Sequence, residues 1–206
     1  MTEQRTDEWF AERCGKVTAS RIADVMAKTK TGWGASRKNY MAQLVAERIT
    51  ETVADSYTNA AMQWGIETEP EARQAYEARQ LCTVTEVGFV PHPTIDNAGA
   101  SPDGLVGDDG LVEIKCPNTS THIDTLLSGK IADKYIKQMQ WQMACTGTAW
   151  CDFVSYDPRV GAELALWVKR VNRDDALIAD IETAVVNFNR EIEDQVSQLL
   201  TLKETT

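Results

Sequence analysis

The segment from Ser101 to Pro117 constrains the fold most, because its pattern is typical of a β-hairpin. Two short apolar runs, Leu105-Val106 and Leu111-Val112, flank the sequence Gly107-Asp-Asp-Gly110. Glycine and aspartate supply the backbone conformations that tight turns need. The pattern therefore predicts that the chain reverses direction at residues 107 to 110.

The second strand of this hairpin carries opposite charges on one face. Side chains alternate between the two faces of a strand, so Glu113 and Lys115 share one face. Val112 and Ile114 then lie on the other, apolar face. An acid and a base are therefore neighbours above the sheet.

A second carboxylate, Asp103, precedes the first strand. A turn centred in the middle of residues 107 to 110 sets Asp103 opposite Ile114, one residue away from Glu113. We therefore predict a bulge or bend at Gly104 or Gly107 that brings the two carboxylates together.

Converging carboxylates without histidine suit Mg²⁺, with Mn²⁺ as a substitute. The Ile114 carbonyl lies between Glu113 and Lys115 in sequence and is a candidate for a further ligand. Lys115 could orient an attacking water or stabilise charge on a phosphate in the transition state. These residues indicate a metal-dependent nuclease site, and the alternative is a solvated hairpin whose charges have no role.

Length and composition indicate one soluble domain spanning residues 1–206. The chain is 43% hydrophobic and 25% charged, which is ordinary for a globular protein. Its first residues are polar, and no apolar run approaches the length of a membrane span. We expect a cytoplasmic protein without a membrane partner.

Cysteine and histidine are poorly arranged for other metal chemistry. The five cysteines are spread along the chain without a Cys-x-x-Cys motif, and only two histidines are present. This pattern fits a reducing compartment and argues against a zinc or iron–sulfur centre. The chain also lacks a phosphate-binding P-loop, so we expect its activity to be independent of ATP.

Positive charge is concentrated in one part of an acidic chain. The formal net charge is −10, yet the segment from Arg13 to Ala46 contains one acidic residue, Asp24, among seven basic ones. Such a patch on an acidic body predicts DNA binding on one surface. The basic residues are Arg13, Lys16, Arg21, Lys28, Lys30, Arg37 and Lys38.

The start of this basic segment predicts an anion site. A second helix should begin near Lys16, with Thr18 or Ser20 as its cap and with Arg13 and Arg21 close by. Simple capping with solvated charges is an equal alternative on these residues alone. Residues 28 to 35 lack periodicity and predict a mobile loop with Trp33 at its tip, which could close on DNA.

Apolar periodicity and turn signals place the remaining elements around a central sheet. The predicted helices are Thr6 to Arg13, one from Lys16, one from Ser36, Asn59 to Gln80, Ala132 to Cys145 and one from Asn172. The predicted strands are Thr83 to Pro91, the hairpin, Trp150 to Tyr156 and Glu163 to Val171, and residues 118 to 122 are predicted to be irregular. This order indicates a mixed α/β domain.

Several short motifs, taken together and in this order, resemble one family. They are Gly-Lys-Val-Thr-Ala-Ser20, Trp-Gly-x-x-x-Glu69, Ser-Pro-Asp-Gly104, Glu-Ile-Lys-Cys-Pro117, Tyr-x-x-Gln138 with Gln140, and Tyr-Asp-Pro-Arg159. The set is similar to the phage lambda exonuclease (YqaJ-type viral recombinase) family. That family lies within the restriction-endonuclease-like superfamily with its Pro-Asp … Asp/Glu-x-Lys signature.

The resemblance implies a central mixed sheet flanked by helices and a 5′ to 3′ exonuclease. Such an enzyme would digest double-stranded DNA ends, release mononucleotides and leave 3′ overhangs for recombination by strand annealing. It would use two Mg²⁺ ions per site. The resemblance also implies a ring-shaped homotrimer and a phage single-strand annealing protein as a partner.

The resemblance also implies roles for individual residues. Asp103, Glu113 and the Ile114 carbonyl would hold metal, and Lys115 would position the water. Glu69 would support the second metal, Gln138 would complete the catalytic arrangement, and Arg13, Ser20 and Ser101 would bind the 5′-terminal phosphate. An endonuclease of the same superfamily, such as a junction resolvase or restriction enzyme, and a non-catalytic DNA-end-binding module remain the alternatives.

Overall fold

Helices begin where the capping residues and apolar periodicity favour them. A computed structural model of the chain describes residues 2–53 and 60–204. The helices are α1 (Asp7–Arg13), α2 (Ile22–Val25), α3 (Ala35–Thr50), α4 (Ala60–Gln80), α5 (Thr119–Ser128), α6 (Asp133–Thr146) and α7 (Asp175–Glu204), with 3-10 turns at Ala19–Arg21 and Pro158–Val160. Thr6 caps α1 as predicted, its hydroxyl accepting from the Trp9 amide. The predicted start at Asn59 lies outside the described residues.

The strands form one main sheet and two smaller ones. They are β1 (Val17–Thr18), β2 (Lys28–Thr29), β3 (Gly32–Trp33), β4 (Val84–Thr85), β5 (Val90–Pro91), β6 (Ala98–Ala100), β7 (Gly104–Val106), β8 (Gly110–Lys115), β9 (Trp150–Tyr156) and β10 (Leu166–Asn172). The main sheet has the order β10-β9-β8-β7-β4, with β8 and β9 parallel and the other pairs antiparallel.

Helices cover both faces of the main sheet. On one face, Ala72 and Tyr76 of α4 pack with Val112 and Val154. On the other face, Met139 and Met143 of α6 pack with Leu111, Cys151 and Phe153. The mixed α/β fold with a flanked central sheet is therefore confirmed.

A second core joins the N-terminal third of the chain to the last helix. The small sheet β1-β6-β5 lies beside α2, α3, α6 and α7. Its buried side chains include Tyr40 of α3, Trp141 of α6 and Phe188 of α7, and Tyr40 stacks on Phe188. Because α6 packs in both cores, it connects the basic segment to the main sheet.

The hairpin register differs from the prediction. Gly104 pairs with Val112 and Val106 pairs with Gly110, so three residues form the turn instead of four. Continuing this register sets Asp103 in line with Glu113 without a bulge in the paired strands, and the bend falls at Asp103 itself. Gly110 belongs to the strand because the Trp150 ring packs where its side chain would be, 2.1 Å from an added Cβ.

Three other predictions about local structure were wrong. Residues 83 to 91 form two short strands in different sheets, β4 and β5, because the chain changes sheets near Gly88. Residues 119 to 128 form α5, which Asn118 caps by accepting from the Thr121 amide. Residues 28 to 33 form the β2–β3 hairpin instead of an irregular loop.

Arg37 contributes to packing instead of an exposed DNA-binding surface. Its side chain is 3% exposed and donates to both Glu191 oxygens of α7, at 2.8 and 2.9 Å. It also donates to the Val25 carbonyl and lies against Trp33 and Phe188. A bidentate guanidinium–carboxylate pair of this kind joins α3 to α7. The prediction that Arg37 binds DNA is therefore corrected.

Within the described residues, no helix has the length and apolar character needed to cross a bilayer.

Replacing Arg37 should therefore affect stability more than DNA binding. We expect Arg37→Ala to lower the free energy of unfolding by about 1–3 kcal/mol, because it removes three hydrogen bonds of a buried guanidinium. The exposed neighbour Lys38 provides the matched variant, and Lys38→Ala should change stability by less than about 0.5 kcal/mol. Urea denaturation measures both, and equal stability of the two variants would contradict the assignment.

Candidate active site

The hairpin, α4 and the start of α6 enclose a cleft of about 670 Å³. Ile114 and Lys115 line it from β8, Glu69 from α4 and Tyr135 from α6. The sequence predicted that Glu69, Lys115 and Gln138 would come together, and the structure brings the three elements that carry them to this cleft.

Glu113 precedes the cleft-lining residues Ile114 and Lys115 on β8 and is held by several hydrogen bonds. Its carboxylate is fully buried and accepts from the Gln138 amide at 2.7 Å and from the Gln142 amide at 2.6 Å, one at each oxygen. The Lys115 ammonium contacts the oxygen that Gln138 also contacts. Gln138 and Gln142 are one helical turn apart on α6, so a single helix face holds this carboxylate.

Asp103 lies beside Glu113. One of its oxygens accepts from the Ile114 amide at 2.6 Å, which ties the residue to β8. Burial raises the pKa of Asp103 well above its ordinary value, and the negative charges of Glu113 and Glu69 raise it further. The two acids therefore repel each other in the absence of additional positive charge.

Lys115 supplies part of that charge. Burial alone would lower its pKa, but the carboxylates of Glu113 and Asp103 outweigh burial and raise the pKa of Lys115 above its ordinary value. The ammonium also lies 5.4 Å from the centre of the Tyr135 ring. Lys115 therefore presents a positive charge and hydrogen-bond donors beside the carboxylates.

Glu69 faces the cleft but is already paired. Its carboxylate accepts from Arg5 at 2.5 Å and from Arg73 at 3.2 Å. Its negative charge also raises the pKa of Asp103, by less than burial and Glu113 do.

The donor set fits a hard divalent cation. Asp103 and Glu113 supply carboxylate oxygens next to Ile114, which itself lines the cleft. Among the described residues, no group of three acidic, cysteine or histidine side chains could hold a metal. Carboxylate oxygens are ligands that Mg²⁺ prefers, and this ion also keeps several waters and binds substrate phosphate.

A second site contains the proposed phosphate ligands. The hydroxyl oxygen of Ser101 accepts from an Arg13 guanidinium nitrogen and from the Trp9 indole nitrogen, both at 3.0 Å. The Arg13 guanidinium also lies 4.0 Å from the Trp9 ring centre. Burial lowers the pKa of Arg13 from its ordinary value, while Tyr40 and Glu47 act in the opposite direction.

Arg13 also lines a cavity of about 200 Å³ together with Lys16, Ser20 and Arg21. The predicted helix that Ser20 or Thr18 would cap is instead a 3-10 turn followed by the four-residue helix α2. Because these helices are so short, side-chain charge and hydroxyls, not a long helix dipole, must attract an anion here. Arg21 pairs with Asp24 at 2.6 Å and so contributes less free charge.

The other predicted DNA-binding residues are exposed. Lys28, Lys30 and Trp33 lie on the β2–β3 hairpin, and Lys38 lies on the first turns of α3. Lys28 lies 5.3 Å from the centre of the Trp33 ring. The exposure of these four residues is compatible with the prediction that they bind DNA, whereas Arg37 is buried.

Sequence reasoning missed three residues of these sites. Gln142 could have been found, because it follows Gln138 by four residues on a predicted helix. Trp9 precedes Arg13 by four residues on α1, so helical spacing could also have indicated that the two side chains are neighbours. Arg5 carries no comparable signal, since only the folded chain brings it to Glu69.

Known proteins with this fold include nucleases. The chain is similar to the crystal structure of an alkaline exonuclease, LHK-Exo, from Laribacter hongkongensis, with 56% sequence identity and a TM-score of 0.91 over 97% of this chain and 99% of that one. A structure of LHK-Exo in complex with dAMP matches with the same values. A phage-related exonuclease from Haemophilus somnus 129PT shares 15% identity, with a TM-score of 0.71 over 89% of this chain and 96% of that one, which shows a likeness of fold alone.

The family is shown by sequence as well. Residues 8–149 match the YqaJ-like viral recombinase domain. No curated protein sequence is significantly similar to the chain. The chain belongs to the YqaJ-like viral recombinase family, which confirms the resemblance drawn from its motifs.

The two neighbouring glutamines of α6 provide a test of the site. Gln142→Leu removes a donor to Glu113, whereas Gln140→Leu removes contacts to Asn172 and Asp174 that do not involve the cleft. We expect each variant to lose about 1–3 kcal/mol of stability, but only Gln142→Leu to lose about 10- to 100-fold in nuclease rate. Urea denaturation and a nuclease assay on the same preparations measure this, and equal losses of rate would exclude a specific role for Gln142.

Proposed function

We propose that the protein is an ATP-independent, Mg²⁺-dependent exonuclease that digests double-stranded DNA ends in the 5′ to 3′ direction. It releases mononucleotides and leaves 3′ single-stranded overhangs that serve recombination by strand annealing. Membership of the viral recombinase family and the 56% identity to an alkaline exonuclease support a nuclease that acts on DNA.

One observation carries the finer proposal, namely the connection between the two sites. Ser101 contacts Arg13 in the phosphate pocket, and Asp103, two residues later, is tied to the cleft-lining residue Ile114 of β8. Two residues span at most about 7 Å of chain, so the two sites lie next to each other. A terminal phosphate held at Ser101 would therefore place the next phosphodiester at Asp103, and cleavage there would release one nucleotide.

The residues of the cleft would divide the work of hydrolysis. Gln138 and Gln142 hold Glu113 in one orientation, and the Ile114 amide holds Asp103. The Lys115 ammonium, kept protonated by both acids, donates a hydrogen bond to the attacking water or to a phosphate oxygen. Mg²⁺ bound by Asp103, Glu113 and the Ile114 carbonyl would activate the water and stabilise the developing charge.

A ligand bound by a similar protein supports the proposed product. LHK-Exo forms a complex with dAMP, a deoxynucleoside monophosphate. The proposed exonuclease would release products of this class. Basic residues of the exposed hairpin, Lys28 and Lys30, would contact the duplex backbone, together with Lys38.

The remaining parts of the proposal come from the family resemblance. Glu69 would support a second Mg²⁺ ion, with Mn²⁺ as a substitute for either. A homotrimeric ring around DNA and a phage single-strand annealing protein as partner stay predictions. Positive charge on one surface of an otherwise acidic chain is compatible with a ring that binds DNA on its inner side.

Closed circular DNA distinguishes the exonuclease from an endonuclease with the same active-site residues. We expect linear duplex, labelled at either 5′ or 3′ end, to lose its 5′ label first and only with Mg²⁺, because digestion starts at the 5′-terminal phosphate. Covalently closed circles should stay intact under the same conditions. Nicking of the circles as rapidly as linear duplex is shortened would contradict the exonuclease.

Variants of the same cleft separate an enzyme from a DNA-end-binding module. Lys115→Ala and Asp103→Ala should each lower the digestion rate by about 100-fold or more while leaving DNA binding in Ca²⁺ in place. Lys130→Ala, at an exposed position outside the cleft, should digest normally and controls for loss of positive charge. Unchanged nucleotide release by either cleft variant would exclude hydrolysis at this site.

The phosphate pocket requires its own prediction. A 5′-phosphorylated end should be digested about tenfold faster than a 5′-hydroxyl end, because the phosphate gains charge-assisted hydrogen bonds from Arg13. Arg13→Gln and Ser101→Ala should reduce this ratio towards one, whereas Arg190→Ala, at an exposed site on α7, should preserve it. Equal rates for both ends with the unaltered protein would exclude the pocket.

A further inference from the structure

Arg5 brings a guanidinium into the cleft that Glu69 and Lys115 line, although the sequence did not predict it as a site residue. It lines the cleft together with Lys115 and Glu69. One terminal nitrogen donates to Glu69 at 2.5 Å, and the side chain is 42% exposed. Arg5 is therefore held at one end and accessible to a ligand in the cleft.

The segment that carries Arg5 is attached directly to the residue that precedes Asp103. The Gln4 side-chain amide donates to the carbonyls of Pro102 and Val87, both at 2.8 Å. Thr2 packs so closely on Gly88 that an added Cβ would lie 2.2 Å from the Thr2 carbonyl oxygen. The position of Arg5 relative to Asp103 is thus set by contacts to the residue that precedes Asp103.

The backbone at Arg5 adopts a conformation that non-glycine residues rarely take. Its φ angle is +69°, in the left-handed region. Glu51, another such residue, follows the last residue of α3, where this conformation commonly ends helices. Arg5 instead precedes α1. Strain of this kind is retained where the surrounding contacts enforce it, often at functional sites.

The charges of the cleft suit a bound phosphodiester. A guanidinium has five N–H donors in a planar fork, and a single terminal nitrogen of Arg5 binds Glu69. Arg73 also pairs with Glu69, from within α4, so Arg5 is not required as the only counter-ion of this carboxylate. Among the described residues, the other donors of Arg5 make no hydrogen bond, and Arg5 lines the same cleft as Lys115.

We propose that Arg5 binds the scissile phosphodiester, with Glu69 holding its guanidinium in the cleft. The assignment rests on the proposed nuclease function and adds to it a phosphate ligand from the segment before α1. Arg13 would then bind the terminal phosphate and Arg5 the next one, so that both ends of the N-terminal helical region contact the same nucleotide.

A neutral linkage at the scissile position provides the test. The probe is a 5′-phosphorylated duplex whose first internucleotide linkage is either an ordinary phosphodiester or an uncharged methylphosphonate. Binding is measured by fluorescence anisotropy with Ca²⁺ in place of Mg²⁺. The proteins are the unaltered chain, Arg5→Ala, Arg5→Lys and Arg73→Gln, the last of which removes the other arginine at Glu69, and thermal unfolding verifies that each is folded.

We expect Arg5→Ala to weaken binding of the ordinary duplex about tenfold and binding of the methylphosphonate duplex less than twofold, because the lost hydrogen bonds involve the charged oxygens. Arg5→Lys should recover part of the difference. Arg73→Gln should change both duplexes by the same factor. Equal weakening of both duplexes by Arg5→Ala, or no weakening of either, would overturn the assignment of Arg5.

The assignment of Arg5 can fail while the proposed nuclease function stands. If the unaltered protein digests 5′-phosphorylated duplex while Arg5→Ala shows no linkage-specific loss, only the role of Arg5 fails. If the unaltered protein digests no DNA end with Mg²⁺, the nuclease proposal fails first.

Discussion

The buried carboxylate of Glu113 is the group on which the arrangement of the cleft depends. A buried charge is costly unless it is paired and hydrogen-bonded, and Glu113 satisfies this condition through Gln138, Gln142 and Lys115. Two of these partners come from α6 and one from the same strand. The packing of α6 on β8 therefore supports the buried charge of Glu113. Helix α6 also packs in the N-terminal core.

A second constraint joins the N-terminal region to the residues that lead into Asp103. Ser101 accepts from Trp9 and Arg13, while the carbonyl of Pro102 accepts from Gln4. The N-terminal region is therefore attached along the short segment that leads into Asp103. This geometry places the pocket of Arg13 two residues along the chain from Asp103 and the cleft beside it.

Local signals predicted the elements whose contacts are mainly local. Thr6 and its following acids begin α1, and β9 runs from Trp150 to Tyr156 as expected. The errors arose where tertiary contacts override local pattern. The β-branched run from Thr83 to Pro91 is divided because its two halves pair with different partners, β7 and β6. The polar residues after Pro117 form a helix because Asn118 caps it and His122 is buried, with hydrogen bonds to Ser155 and Leu164.

The sequence by itself determined which chemical groups share the hairpin face, because alternation along a strand requires only the chain's own geometry. It also determined the family, through short motifs whose residues match in order. Only the tertiary structure decided the hairpin register, the burial of Arg37 against α7, and the recruitment of Gln142 and Arg5. The physical reason is that these features depend on partners 29 to 154 positions away in the chain, or on how closely Trp150 approaches Gly110, and no local pattern encodes such contacts.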